Sequence, residues 1–293
     1  MLLARARVLT RSSANLGGSL RPASSSSIVG ARDGVRVLES SEGGVLTVEL
    51  DRPERLNALG VEMGHSLLDV FAQLADAPPT DVRCVVLTGA GDRAFSTGRD
   101  LKGTAGHGPR EAAAYMRLCV ESCAAFRRLP MPTIAAINGH CFGWGIETAM
   151  GADVRVAADE ATICFPESEL GIFPGAGGTV LLPRLVGPAA ASDLIFSARR
   201  IGGQEAARLG LVSRSVPRAE LRALAAQLAA EYAGGGPRGV RCAKRVIAAS
   251  MSMGVEDAMQ VSHELRFPLN ASADFKEGVS AKAEGRKPNF TGK

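Results

Sequence analysis

The apolar positions along this chain change their period several times, and each change predicts an element. "VRVLE" and "GVLTVEL" alternate apolar with polar residues, the period of half-buried strands, and "SSEGG" between them predicts a hairpin. "DRPERLNAL" follows as a polar loop. Over residues 61–76, Val61, Leu68, Phe71 and Leu74 fall at helical spacing, and "APPT" stops that helix. "VRCVVLTG" is an apolar run that predicts a short buried strand before the loop "AGDRAFSTGRDLKG". Residues 110–129 predict a long helix ending before "PMP". "TIAAING" is a further buried strand, running through "HCFGWG" into a helix at about 145–151. "DVRVA" and "ATICF" read as short strands, and "PESELGIFPGAGGT" as a second glycine-rich turn with a helix starting near its end. From residue 189 onward the pattern is helical, with "LVSRSVP" the one extended interruption.

Strands alternating with helices predict an α/β core at residues 31–230, and residues 231–293 read as a helical cap or assembly region. Composition is that of a globular chain: 293 residues, 46% hydrophobic and 22% charged. Aromatics are few, at 4%, so the core is expected to be built mainly from Ala, Val, Leu and Ile.

The formal charge of +4 lies in one place. Residues 1–30 carry Arg5, Arg7, Arg11 and Arg21 and no acidic residue, which leaves the rest of the chain neutral. A balanced body offers no bulk field to nucleic acid. The Arg- and Ser-rich stretch predicts a disordered organelle transit peptide over residues 1–30, addressed to the mitochondrial matrix with a plastid as the alternative. No stretch is long and apolar enough to span a membrane. The six cysteines include no C-x-x-C pair and no histidine at ligand spacing, so neither a metal site nor a disulfide is expected.

Two turns share one design, an apolar strand, a glycine-rich elbow and a helix start. Such elbows expose backbone N–H groups that bind phosphate or a carbonyl oxygen gaining charge. Neither reads as a phosphate loop: "GAGGT" lacks the Gly-Lys-Ser/Thr ending, and "GWGIE" carries a carboxylate where phosphate would be repelled. Glu147 in the first and Glu167 before the second are each explained singly by a helix dipole or a solvated loop. Adjacent parallel strands would bring both into one cleft, where two carboxyls can divide acid and base roles beside a fixed N–H pair. "RAFSTGRDLK" is a third place, where Arg99 and Lys102 either meet a ligand's phosphates or pair on the surface.

Five segments in order, "LDRPERLNAL", "AFSTGRDLK", "PTIAAINGHCFGWGIETAMGADVRVA", "FPESELGIFPGAGGT" and "GQEAARLGLVSRSVP", resemble the crotonase (enoyl-CoA hydratase/isomerase) superfamily. The resemblance runs from about residue 35 to the end. It implies a spiral core of ββα units, C-terminal helices that assemble trimers or hexamers, and an acyl-CoA thioester ligand with no cofactor beyond its CoA. By position it assigns the thioester oxygen to the N–H groups of Arg99 and Trp144, and catalysis to Glu147 and Glu167. Glu147 would activate water and Glu167 would deliver a proton to the α-carbon. Gly175 would hold the water. The Thr97 carbonyl would face the adenine, with Asp100 and Leu101 in the same CoA-binding loop. Arg55 and Lys102 would meet CoA phosphates, and Lys287 would reach CoA from a neighbouring subunit.

Three positions depart from the family pattern: Trp144 replaces the middle of three glycines, Arg99 stands where Ala is common, and Val180-Leu181 replaces Gln-Arg. The activity implied is hydration of a trans-2-enoyl-CoA, a lyase reaction. The alternatives are Δ3,Δ2-enoyl-CoA isomerisation, thioester hydrolysis or decarboxylation, an inactive subunit, and RNA binding. The last is disfavoured, since "VEMGHSLLDVFAQLADA" has no lysine or arginine. For Trp144 two orientations are open, bordering and restricting the acyl pocket or packing away from it as core.

Overall fold

The computed structural model describes residues 27–40 and 43–293. Its framework is a seven-stranded sheet in the order β1-β2-β3-β4-β6-β8-β11 beside a four-stranded sheet in the order β10-β9-β7-β5. β1 (Ser27–Arg32), β2 (Val35–Glu39) and β3 (Val45–Leu50) form an antiparallel meander. β4 (Cys84–Gly89), β6 (Thr133–Ile137), β8 (Val154–Ala158) and β11 (Arg214–Val216) extend it in parallel. β4 and β6 are buried at every position, which is why they read as unbroken apolar runs rather than alternations.

The smaller sheet holds β5 (Ala94–Ser96), β7 (His140–Phe142), β9 (Thr162–Cys164) and the two-residue β10 (Ile201–Gly202). The chain makes three consecutive turns of one design, a strand in the large sheet, a strand in the small sheet, then a helix. These turns are β4-β5-α2 (Pro109–Arg127), β6-β7-α3 (Trp144–Ala149) and β8-β9-α4 (Gly178–Val186). This is the ββα spiral that the motifs implied. α1 (Val61–Ala75) precedes the first turn and packs on α2, with the Phe71 and Phe126 rings 5.3 Å apart.

Beyond the spiral lie α5 (Pro188–Ser197), α6 (Gly203–Arg208), α7 (Arg218–Ala233), α8 (Pro237–Ser250), α9 (Val255–Arg266) and α10 (Ala273–Glu284). α7 turns Leu221, Ala225, Leu228 and Ala229 into the core. The last three helices and the turns between them instead leave Met251, Val255, Met259, Phe267 and Val279 exposed.

Two differences from the sequence reading stand out. β1 begins at Ser27, inside the stretch taken as leader, and pairs with β2 from Ser27↔Glu39 onward; the rest of that leader lies outside the described residues. The small sheet was only partly foreseen, because strands of two or three residues carry no period. All six cysteines are free thiols, five of them buried.

Candidate active site

The small sheet positions the site. β5, β7 and β9 run parallel, paired from Ala94↔His140 and from His140↔Thr162 to Phe142↔Cys164. Parallel neighbours end at the same edge, so the segments leaving them converge: Gly98-Arg99 after β5, Gly143-Trp144 after β7 and Phe165–Glu167 after β9. The convergence is tight. A methyl group built on Gly98 would lie 3.0 Å from the Phe142 carbonyl oxygen and 3.5 Å from the Trp144 nitrogen. One built on Gly143 would lie 2.9 Å from a Glu167 carboxyl oxygen.

These approaches explain the glycines of "GWGIE". Gly143 has φ 51° and faces the Glu167 carboxyl, so a side chain there is excluded by both backbone and space. Gly145 packs on β5, where a methyl would come within 2.5 Å of the Ser96 carbonyl oxygen. The residue between them points elsewhere. The Trp144 indole is 2% exposed, and its Nε1 donates to the Cys119 carbonyl at 3.2 Å and to Ser122 Oγ at 3.1 Å, both on α2. Of the two orientations open in the sequence, the indole takes the core one; the idea that it caps an acyl pocket is corrected accordingly.

Two backbone donors stand free at this junction. Leu59 donates to the Gly98 carbonyl and accepts from the Asp100 N–H, the pattern of a parallel bridge that turns the Arg99 N–H the opposite way. Among the described residues neither the Arg99 nor the Trp144 N–H has a hydrogen-bond partner. A buried amide without a partner is uncommon and requires a reason; a ligand oxygen supplies one.

The two carboxyls differ in their surroundings. Glu147 is 3% exposed in the first turn of α3, and its Oε1 accepts from the Ala176 N–H at 2.8 Å and the Gly178 N–H at 2.9 Å. Burial raises its pKa, while the Gly178 and Ala176 N–H groups and the Arg99 guanidinium pull it partly back. Glu167 is 9% exposed, and its Oε2 is buried with no hydrogen-bond partner. Burial first and the charge of Glu147 second push Glu167 up to about 7. The two carboxyls are thus held differently: Glu147 by two aimed N–H donors, and Glu167 with an unpartnered oxygen and a pKa raised to about 7.

Other sequence-derived positions fall differently. The N–H groups that reach Glu147 belong to Ala176 and Gly178; the exposed Gly175 lies just before them with its own N–H unpartnered among the described residues. Asp100 is a structural anchor rather than an open ligand group. It is 7% exposed, accepts from Arg52 Nη2 at 3.0 Å and from the Gly103 N–H at 2.9 Å. Burial pushes it up, but the Gly103 N–H and Arg52 outweigh burial and hold its carboxyl below the ordinary range.

The Arg52–Asp100 bridge joins the loop carrying exposed Arg55 to the one carrying half-buried Thr97 and exposed Leu101 and Lys102. Lys287 stands exposed beyond α10 and makes no side-chain bond to these residues among those described. Sequence reasoning passed over Arg52 and Asn57. The Asn57 amide, in a left-handed turn at φ 54°, donates to the Ala90 and Ala94 carbonyls and fixes the "RLNAL" loop.

Fold and junction together define a crotonase-type site: a ββα spiral with two free N–H groups facing two buried glutamates. Comparison with known proteins agrees. The family model for enoyl-CoA hydratase/isomerase matches residues 40–293. The carnitinyl-CoA dehydratase of Escherichia coli strain K12 is 35% identical over 255 residues, covering 86% of this chain and 96% of that protein. Among solved structures, an enoyl-CoA hydratase from Bacillus anthracis superposes with a TM-score of 0.86 at 34% identity, covering 89% of this chain and all of that one. An enoyl-CoA hydratase/carnithine racemase from Magnetospirillum magneticum gives 0.82 at 30%, covering 90% and 97%. The chain belongs to the enoyl-CoA hydratase/isomerase family.

Proposed function

We propose that this protein is an enoyl-CoA hydratase, a lyase adding water across the 2,3 double bond of a trans-2-enoyl-CoA. The observation that carries the reading is the contrast between Glu147, held by two N–H donors, and Glu167, raised to about 7 with an unpartnered oxygen. Glu147 takes a proton from water as its oxygen bonds to C3. The thioester oxygen gains charge and is held by the Arg99 and Trp144 N–H groups. Protonated Glu167 gives its proton to C2, and exchange with solvent returns the pair to its starting state. Gly175, with a free N–H at the elbow, helps hold the water.

Isomerisation uses one shuttling carboxyl and makes no use of the two donors on Glu147. The CoA moiety lies along Thr97, Leu101, Lys102 and Arg55. The exposed apolar residues of α8–α10 support assembly into a trimer or hexamer, read by light scattering. The mitochondrial or plastid address of the leader belongs to the same proposal, and imaging of a tagged full chain tests it.

Crotonyl-CoA, followed by loss of its conjugated-thioester absorbance, tests the activity. Wild-type turnover, with Glu167→Gln lowered about 10³-fold mainly in kcat, is the expected outcome. A wild type inert on crotonyl-CoA yet active on a 3-enoyl-CoA would replace the hydratase by an isomerase.

A further inference from the structure

Arg99 does two separate things. Its main chain supplies one of the free N–H groups, whereas its side chain turns onto α2. There Nη1 donates to the Met116 sulfur at 2.8 Å. A thioether is an uncharged, weak acceptor. Two other arginines withdrawn from water, by contrast, have oxygen partners. Arg52 has Asp100 and the Ala58 carbonyl, and Arg155 has the Leu211 and Ala152 carbonyls. Arg99 has no oxygen partner among the described residues.

Its place is defined by three contacts along one face of α2. Tyr115 Oη accepts from the Asp100 N–H, Met116 accepts from Arg99, and the Cys119 carbonyl accepts from Trp144 Nε1. The guanidinium therefore lies between the two segments that carry the free N–H pair. Its charge also reaches both glutamates, offsetting a small part of the rise that burial causes in each. Neither uses it as a partner: Glu147 Oε1 is taken by Ala176 and Gly178, and Glu167 Oε2 has none. A cation half removed from water, beside the two glutamates and resting on a flexible methionine, is suited to an anionic partner.

We infer that Arg99 is a specificity-determining residue that selects acyl groups bearing a carboxylate, so that the substrate class is the CoA monothioester of a dicarboxylic acid. The inference rests on the thioester reading of the site. The substrate carboxylate replaces Met116 as partner of the guanidinium and forms charge-assisted hydrogen bonds. The same cation repels an acyl group carrying a quaternary ammonium, such as a carnitinyl thioester, despite the 35% identity to a carnitinyl-CoA dehydratase.

Calorimetric binding to the full chain tests this without relying on turnover. Succinyl-CoA and glutaryl-CoA are compared with butyryl-CoA and pentanoyl-CoA. At least one dicarboxylic thioester is expected to bind tenfold or more tightly than its neutral counterpart. Arg99→Gln abolishes that preference and Arg99→Lys keeps part of it. Equal or weaker binding of both dicarboxylic thioesters, or an unchanged preference in Arg99→Gln, overturns the inference and leaves the thioester reading standing. Binding of none of the four overturns both. Should Arg99→Gln fail to fold, the wild-type preference and its value in Arg99→Lys still decide.

Discussion

Glu147 and Glu167 are the same residue type, both buried, at the ends of neighbouring parallel strands, yet the chain treats them oppositely. Around Glu147 the second glycine elbow folds back and aims two N–H groups at one oxygen. Around Glu167 the first elbow brings only the bare Gly143, and one oxygen is left without a donor. The two carboxyls are distinguished by backbone placement, not by side-chain identity. Glycine serves both ends, by clearing space at position 143 and by clearing space and donating at position 178.

Two substitutions break this contrast from opposite sides. Gly143→Ala forces a side chain into a left-handed backbone and against the Glu167 carboxyl, 2.9 Å away. It also displaces the neighbouring Trp144 N–H, and kcat is expected to fall about 10³-fold. Gly178→Ala places a methyl 2.4 Å from Pro174 Cβ and 3.0 Å from Glu147 Oε1. It shifts the donors on Glu147 and is expected to cost about 10²-fold in kcat with KM nearly unchanged. Steady-state kinetics on an accepted enoyl-CoA ranks the two; the reverse order would mean that the free N–H pair is not tied to Gly143.

The pH dependence sharpens the contrast. In the proposed hydration Glu167 starts protonated, so kcat/KM is expected to fall as pH rises past about 7. That of the reverse dehydration is expected to fall in parallel, because the pair carries one proton in either direction. The charge of Glu147 is the second cause of that elevation, so Glu147→Gln moves the Glu167 titration downward. Carboxyl titration by NMR in the two proteins reads the shift, and an unmoved titration would uncouple the pair.

The smallest effect concerns stability. A carboxyl raised from 4.5 to about 7 on folding holds its proton more tightly in the native state, so its contribution is present below pH 4.5 and is lost as pH rises through about 7. Glu167→Gln is therefore expected to unfold at higher temperature than the wild type at pH 8. The gain is about 1–3 kcal/mol after discounting for solvent screening, and little difference remains at pH 4. Thermal unfolding at the two pH values measures it.

Most of the spiral was legible because its long strands are buried on both faces and its helices α1 and α2 carry clear periods. β5, β7 and β10 were not, being too short to show one, and Ser27–Gly30 had the composition of the leader that precedes them. The glutamate pair and the elbows were legible, since glycine clusters at strand ends have few other uses. What escaped were choices made by distant partners. Asp100 is claimed by Arg52, 48 residues away, and Trp144 by Cys119 and Ser122 on α2. That Ala176 and Gly178 donate to Glu147 is a matter of one turn's geometry in a glycine-rich run, where sequence offers no register.

The burial of Trp144 has an optical consequence. It is the one tryptophan in 293 residues, and its amide is a proposed contact to the reacting carbonyl while its ring is locked into α2. Indole emission from the whole chain thus arises from a single, water-shielded chromophore at the active site. A thioester seating itself against that amide changes the emission with no label added, and a stopped-flow trace of the unmodified protein records binding apart from chemistry.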